Sequence, residues 1–242
     1  MTKPDTTDAS FYDMAWDKWN DMIYYSPAPR IRRSKIVSML KETSFTSLLD
    51  VGCGNGEFLK DVKNSIGNVN LAGADISCTV IKSNRTKLSD MEFFVLDLDN
   101  ETLCRKFDLV VCMEVVEHCR DYVDAIIRLA EMTDKMLIMT VPCGPLFDID
   151  RRVGHNRHFS TEDIRTAIEN AGLTVFRLYR WGFPFFNLYK HVINMSPDKM
   201  TDSFLSEKPY TWKQKVIAKT AYATFKLCLP LWGYQLFVQA VR

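Results

Sequence analysis

Cysteine pairing is the first thing missing from this 242-residue chain. Its seven cysteines, at 53, 78, 104, 112, 119, 143 and 228, form no CxxC pair, and most sit inside apolar runs. An odd, scattered set excludes a disulfide framework and predicts reduced, buried thiols in a cytoplasmic protein. The opening MTKPDTTDAS has no apolar core, so no signal peptide is expected. No run reaches the ~18 apolar residues of a membrane span. A net charge of only +1 gives no overall field toward nucleic acid or an acidic membrane. Internal repeats and low-complexity tracts are absent too.

What is present is a core. Hydrophobic residues make up 47% of the chain, and its length suits one large domain or a domain with an insertion. From Phe45, the short runs SLLDV, NLAGAD, EFFVLD, FDLVVCM and KMLIMTV alternate with helical periodicity, as in GEFLKDVKNSI and RDYVDAIIRLAEMT. That alternation predicts a parallel sheet with helical crossovers. Two helices are expected before it, over about Ser10–Tyr24 and about Arg30–Lys41, the second with proline near its start. After Leu173, LTVFRLYRW reads as a strand. An irregular aromatic stretch follows, then a helix over about Trp212–Leu229, and YQLFVQAVR closes as a strand. The expected organisation is a helical cap at 1–44, a main domain at 45–181 with 234–242, and an insertion at 182–233 serving as a substrate lid.

The stretch LLDVGCGNGEFL carries the ligand question. A strand-like run ends in Asp50, glycines follow at 52, 54 and 56, and a helix opens. Small residues there let backbone approach a ligand. A phosphate loop needs GxxxxGK[ST], and no Lys-Ser/Thr follows. A dinucleotide fingerprint needs GxGxxG; here the third glycine comes one position early and Glu57 stands in its place. Acids beside the turn repel pyrophosphate and suit a ligand with a cationic end. S-adenosylmethionine (SAM) has an ammonium and a sulfonium and no phosphate. Asp75 ends the next run, LAGAD, where a carboxylate can accept from both ribose hydroxyls. Asp97 ends FFVLD and can accept from an adenine amino group. One acid at a strand end is most often a turn residue; three on consecutive strands are hard to explain that way.

Together with AGADIS, FVLDLD, FDLVVCMEVVEH, TVPCGP and FSTEDIRTAIENAGLTV, the glycine stretch resembles the ordered motifs of class I SAM-dependent methyltransferases. The resemblance covers about Arg30–Arg180 and Tyr234–Arg242. It implies an α/β fold: a Rossmann-like, seven-stranded, mostly parallel sheet, its last strand antiparallel, with helices on both faces. It implies SAM as cofactor, with Asp50 and the turn Gly52, Cys53, Gly54 and Gly56 around the methionine portion. Asp75 would hold the ribose with Ile76 beside it, Asp97 and Leu98 would lie near the adenine, and Met113 would face the methionine side. Arg32 stands where related enzymes place an arginine for the SAM carboxylate, and Arg30 and Arg33 compete for that role. In FYDMAWDKW, Tyr12 or Trp16 would wall the cofactor or simply pack.

Methyl transfer needs in-line positioning, and a base where the acceptor must lose a proton. Candidates belong past the fourth and fifth strands. Two clusters sit there: Glu114-Val-Val-Glu117-His118 and Gly154–Phe159 with His155 and His158, together holding three of the four histidines. On a helix, Glu114, Glu117 and His118 would share one face. They would then form half a site for Mg²⁺, Mn²⁺ or Zn²⁺, completed by His155 or His158. That resembles the small-RNA 2′-O-methyltransferases and the ubiquinone-pathway O-methyltransferases, and RHFST resembles a downstream motif of the RNA enzymes. EVVEH also occurs in metal-free relatives, where Glu117 and His118 hold the turn or His118 acts as base. The favoured reading has no metal, with Glu117, His118, His155 and His158 as catalytic candidates and a divalent cation as the alternative. Arg151, Arg152 and Arg157, beside Asp148 and Asp150, form an anion site or a salt-bridged loop. His191 reads as structural.

In the insertion, Trp181–His191 holds six aromatic rings counting the histidine. They wall an acceptor pocket or form the insertion's own core. The helix over Trp212–Leu229 sets Lys215, Lys219 and Lys226 in one narrow arc. Its apolar arc either docks on the domain or touches a membrane peripherally. The leading expectation is methyl transfer from SAM to an oxygen or nitrogen of a small, partly apolar acceptor: a natural product, a quinone-like compound or a lipid-linked sugar. RNA 2′-O-methylation comes second, against it the weak net charge, with basic clusters only at Arg30–Arg33 and Arg151–Arg157. A non-catalytic SAM-fold partner protein comes third, and a dinucleotide oxidoreductase last. Asp75→Ala is expected to weaken SAM binding by on the order of 1–3 kcal/mol through lost ribose hydrogen bonds; unchanged affinity in calorimetry would refute the assignment.

Overall fold

The computed structural model describes residues 24–198 and 209–242. Tyr12, Trp16 and nearly all of the expected Ser10–Tyr24 helix lie outside them. In chain order the elements are α1 (Pro27–Leu40), β1 (Ser47–Val51), α2 (Glu57–Ile66), β2 (Asn70–Asp75), α3 (Cys78–Lys87) and β3 (Glu92–Val95). Then come β4 (Phe107–Met113), α4 (Tyr122–Met132), β5 (Thr133–Pro142), α5 (Asp148–Arg152) and α6 (Thr161–Asn170). The chain closes with β6 (Thr174–Trp181), α7 (Phe185–Asn194), α8 (Trp212–Phe225) and β7 (Gln235–Val241).

Local chemistry sets these boundaries. Proline in its first turn starts α1. Ser77 caps α3 by accepting from Val80 N, and Asp121 caps α4 through Val123 N. A reciprocal Ser160–Asp163 pair opens α6, and Thr211–Gln214 opens α8.

The seven strands order as β3-β2-β1-β4-β5-β7-β6. The β1–β2, β1–β4, β2–β3 and β4–β5 pairs are parallel, whereas β7 runs antiparallel to both β5 and β6. This is the Rossmann-like sheet implied by the motif order. Its two faces carry separate cores. One packs Ile126, Leu129, Ile164 and Ile168 of α4 and α6. The other packs Ile36 and Leu40 of α1, Leu59 of α2 and Ile81 of α3.

Two expectations change in the segment between β6 and β7. The aromatic stretch expected to be irregular contains α7, because a helix can start behind a proline. Two of its rings, Trp181 and Phe186, join the core. Trp181, Phe186, Phe225 and Phe237 are buried together, with Trp181–Phe186 centroids 5.3 Å apart and Phe186–Phe225 5.4 Å. The following helix, expected to reach Leu229, ends at Phe225. Leu229 N instead donates to Phe183 O (2.8 Å), and Pro230 follows. No helix among the described residues is long and apolar enough to cross a membrane. Because Trp181 is almost fully buried and joins β6 to α7, α8 and β7, Trp181→Ala is expected to cost about 3–5 kcal/mol. Urea unfolding measures this; a loss under 1 kcal/mol would mean the ring is not a keystone.

Candidate active site

The glycine turn leaves β1 and lies against the end of β2. Gly52 N and Cys53 N both donate to Ala74 O, at 2.8 and 3.0 Å. Gly52, Gly54 and Gly56 take φ of 77°, 49° and 76°, the left-handed region that favours glycine. A side chain at Gly52 would overlap Val115, and one at Gly56 would come within 2.6 Å of Leu88 Cδ1. The turn is therefore wedged between the segment after β4 and the end of α3.

Asp75, buried, pins that turn. Its Oδ2 accepts from Gly54 N (2.9 Å) and its Oδ1 from Ser77 N (3.0 Å), while Asn84 Nδ2 donates to Gly54 O (2.6 Å). Asp50 is also buried, 1% exposed, and among the described residues its Oδ1 has no hydrogen-bond partner. Burial first, then the charge of Asp75, pushes the Asp50 carboxyl well above its ordinary range, against an opposing pull from Arg33. Two buried carboxylates, one with an orphaned oxygen, repel a pyrophosphate and fit a cationic ligand group. The glycine backbone leaves room for it to approach. The donor set and cradle suit SAM.

The other cofactor candidates are spread along the same edge. Ile76 and Met113 are half-buried, Cys53 and Leu98 buried. Asp97 sits two residues past the end of β3 rather than on the strand. Its carboxylate accepts from Asp99 N (3.0 Å) and Asn100 Nδ2 (2.7 Å), so it shapes its own turn. The three arginines separate. Arg30 stacks over Tyr222 at 4.3 Å, and Arg33 Nε bonds Asp61 Oδ2 at 2.9 Å. Arg32 faces Glu114 Oε2 and Gln235 Oε1, both at 3.5 Å.

EVVEH does not open a helix. Glu114 has φ 57° and begins a turn, so the one-face spacing argument fails. Glu114 is held by Thr140 Oγ1 (3.0 Å), Gln235 Nε2 (2.7 Å) and Arg32. Glu117 is fully buried, and among the described residues neither of its oxygens has a hydrogen-bond partner. Burial, then Glu114, raises its pKa well above the carboxylate range.

The structure brings His118, His155 and His158 together. Their ring centroids lie 5.0 Å apart for His118–His155 and 5.5 Å for His155–His158. Burial is the main cause lowering the pKa of each, so all three are neutral near pH 7. Their hydrogen bonds then assign the tautomers. His158 Nδ1–H donates to Gly144 O (3.3 Å), which leaves Nε2 to accept from His155 Nδ1–H (3.3 Å). His118 Nδ1–H donates to Gly154 O (3.1 Å). His155, which donates through Nδ1, keeps its lone pair on Nε2. Glu117, His118 and His155 offer ligand atoms within 4.8 Å of one another, as do Asp150, His155 and His158. Asp150, buried, is ion-paired with Lys190.

Lys190 and Gln235 escaped the sequence reading. Gln235 meets Glu114 across 121 residues and Lys190 meets Asp150 across 40, and no local pattern signals either pairing. The basic clusters are largely engaged: Arg152 pairs with Asp198 (2.5 Å), and Arg157 lies over Tyr122.

A seven-stranded sheet of this order, with a glycine turn after β1, defines the class I methyltransferase fold. Residues 49–135 match a family model described as a methyltransferase domain. Among curated relatives, the ubiquinone biosynthesis O-methyltransferase of Coxiella burnetii is 30% identical over 47% of this chain and 50% of its own. A putative methyltransferase of Invertebrate iridescent virus 6 is 26% identical over 44% of this chain and 38% of its own. The chain spans half or less of the length of these relatives. Among solved structures, the N-methyltransferase NodS of Bradyrhizobium japonicum, in complex with S-adenosyl-L-homocysteine, is similar with TM-score 0.62. Identity is 15% and coverage 98% of both chains. Magnesium protoporphyrin IX methyltransferase of Synechocystis PCC 6803 is similar with TM-score 0.55, 17% identity and coverage of 87% and 82%.

The raised Asp50 carboxyl has a stability consequence. A group whose folded pKa exceeds its unfolded value, ~4 for Asp, lowers stability as pH rises from that value toward the folded one. The ligand-free protein should lose stability over that window, and Asp50→Asn should flatten the loss. Urea unfolding across pH 4–8 (roughly spanning the ordinary Asp range upward) checks this; an unchanged slope would mean that Asp50 is not frustrated.

Proposed function

We propose that this protein is a methyltransferase that uses SAM to methylate an oxygen or nitrogen of a small, partly apolar acceptor. The observation that carries the reading is the buried Asp50–Asp75 pair behind a turn built of left-handed glycines, with an orphaned carboxylate oxygen. SAM supplies a methyl group on a sulfonium, ready for in-line displacement. The chain's own residues do the rest. Asp50 and Asp75 place negative charge where the cofactor carries ammonium and ribose hydroxyls. Arg32, held by Glu114, faces the same edge and suits a carboxylate. Burial keeps His118 and His155 as neutral imidazoles, the form that accepts a proton, so either can take the proton of an acceptor hydroxyl or ammonium. Lys190 and Asp150 fix the loop that carries His155 and His158. Phe147, His191 and Tyr234 form a ring cluster at the same loop, with Phe147–His191 centroids 5.0 Å apart, and supply apolar wall for the acceptor. The seven unbridged thiols agree with a reducing, cytoplasmic compartment.

A second reading has one observation in its favour. Among the described residues, both Glu117 oxygens are buried without a hydrogen-bond partner beside His118 and His155. Those three residues, rather than the set including Glu114, suit a divalent cation. Chelator-sensitive activity would favour it.

The test is S-adenosylhomocysteine production from SAM with phenolic and amine acceptors of differing bulk. His155→Gln is expected to lower kcat by roughly 10²–10⁴-fold while leaving SAM affinity within a few fold. An unchanged kcat would remove His155 from proton transfer, and no turnover of any acceptor would favour the non-catalytic partner reading.

A further inference from the structure

We propose that α8 and the loop after it dock this protein on an anionic lipid surface. The net charge of the chain conceals a local excess. From Lys208 to Arg242 the sequence has five lysines, one arginine and no carboxylate side chain. The segment Ala171–Pro197, which contains α7, also has none.

The helix presents its apolar residues outward. Trp212, Val216, Thr220 and Ala223 recur at three- and four-residue intervals, so they line one side; Leu227 lies in the turn just past the helix, and all are exposed. Trp212 is 71% exposed and Leu227 67%. Only Ala218 and Phe225 of α8 are buried against the domain. The apolar arc that would ordinarily dock on its own protein faces solvent instead. Lys215, Lys219 and Lys226 run along the border of the stripe, one step round the helix.

The apolar surface continues beyond the helix. Leu229 bridges to Phe183, whose ring meets that of Trp232 at 5.9 Å, and all three are exposed. Trp232 O accepts from Asn187 Nδ2, which brings α7 alongside with Leu188 and Val192 exposed. Exposed apolar side chains gathered in this way mark an interaction surface. On the lysine side, a cleft of ≈ 610 Å³ between α1 and α8 is lined by Arg30, Arg33, Lys41, Lys215 and Lys219 against Glu57 and Asp61. Its charge balance suits phosphate headgroups.

The chemistry selects a lipid surface over a second copy of this chain. Protein interfaces are depleted in lysine, and here lysine supplies all the charge bordering the stripe. Long lysine stems beside an apolar strip let the ammonium stay at headgroup level while Trp212, Val216 and Leu227 enter the acyl boundary. The inference is independent of methyl transfer, since binding to vesicles requires no acceptor.

The test is flotation of the full chain with vesicles of phosphatidylcholine alone or mixed with phosphatidylglycerol, at low and high salt. Binding to the mixed vesicles, reduced by salt and nearly absent from neutral ones, is expected. Lys215→Gln with Lys219→Gln should weaken it on the order of tenfold or more. Trp212→Ser with Val216→Ser should do likewise, with an unchanged thermal midpoint because both side chains are exposed. Absence of vesicle binding would overturn the proposal, as would equal binding to neutral vesicles. A dimer in size-exclusion chromatography that Trp212→Ser dissociates would assign the patch to a second copy and overturn it too.

Discussion

Asp50 and Asp75 lie buried together at the carboxyl edge of the sheet, and their mutual repulsion constrains everything around them. A pair of buried carboxylates is costly unless its oxygens are satisfied. Asp75 is satisfied by the backbone: Gly54 N and Ser77 N supply its hydrogen bonds. That solution requires the chain to double back within a few residues of β1, which only left-handed glycines at 52, 54 and 56 permit. Among the described residues, Asp50 keeps an orphaned oxygen. The ligand-free fold therefore holds an electrostatic cost that a cationic group can relieve, and part of the binding energy for such a ligand is stored in advance.

The same edge carries a cluster of histidines. A row of hydrogen bonds from Gly144 through His158 to His155 orients two rings without charging them. Burial keeps the imidazoles neutral, and a neutral imidazole is the form that accepts a proton. The loop bearing these histidines is anchored by Asp150 to Lys190 of α7, so the segment between β6 and β7 supports the site as well as covering the sheet. Arg32 of α1, Glu114 after β4 and Gln235 of β7 are linked, which joins three distant parts of the chain.

The alternation of apolar runs and helical stretches was enough to read the sheet, because burial on both faces leaves a continuous apolar signal in the central strands β1, β2 and β4. The glycine turn was legible for a related reason: its conformation admits few residue types. Asp75 was legible by its place at the end of β2. Asp97 was legible only as an acid near β3; its engagement with Asn100 depends on a turn that spacing does not show. The helix assumed for EVVEH failed because Glu114 takes a left-handed conformation, unexpected for a glutamate, under the pull of Thr140, Gln235 and Arg32. The outward face of α8 was invisible in a net charge of +1, since the acids that balance its lysines lie elsewhere in the chain.

The central claim is that the turn after β1 binds a cationic nucleoside without phosphate. Titration calorimetry of the ligand-free protein with S-adenosylhomocysteine, run in parallel with NAD, tests it most directly. Micromolar binding of S-adenosylhomocysteine with no heat from NAD is the expected result. Binding of NAD alone, or of neither, would contradict the claim and leave the buried carboxylates without a ligand to explain them.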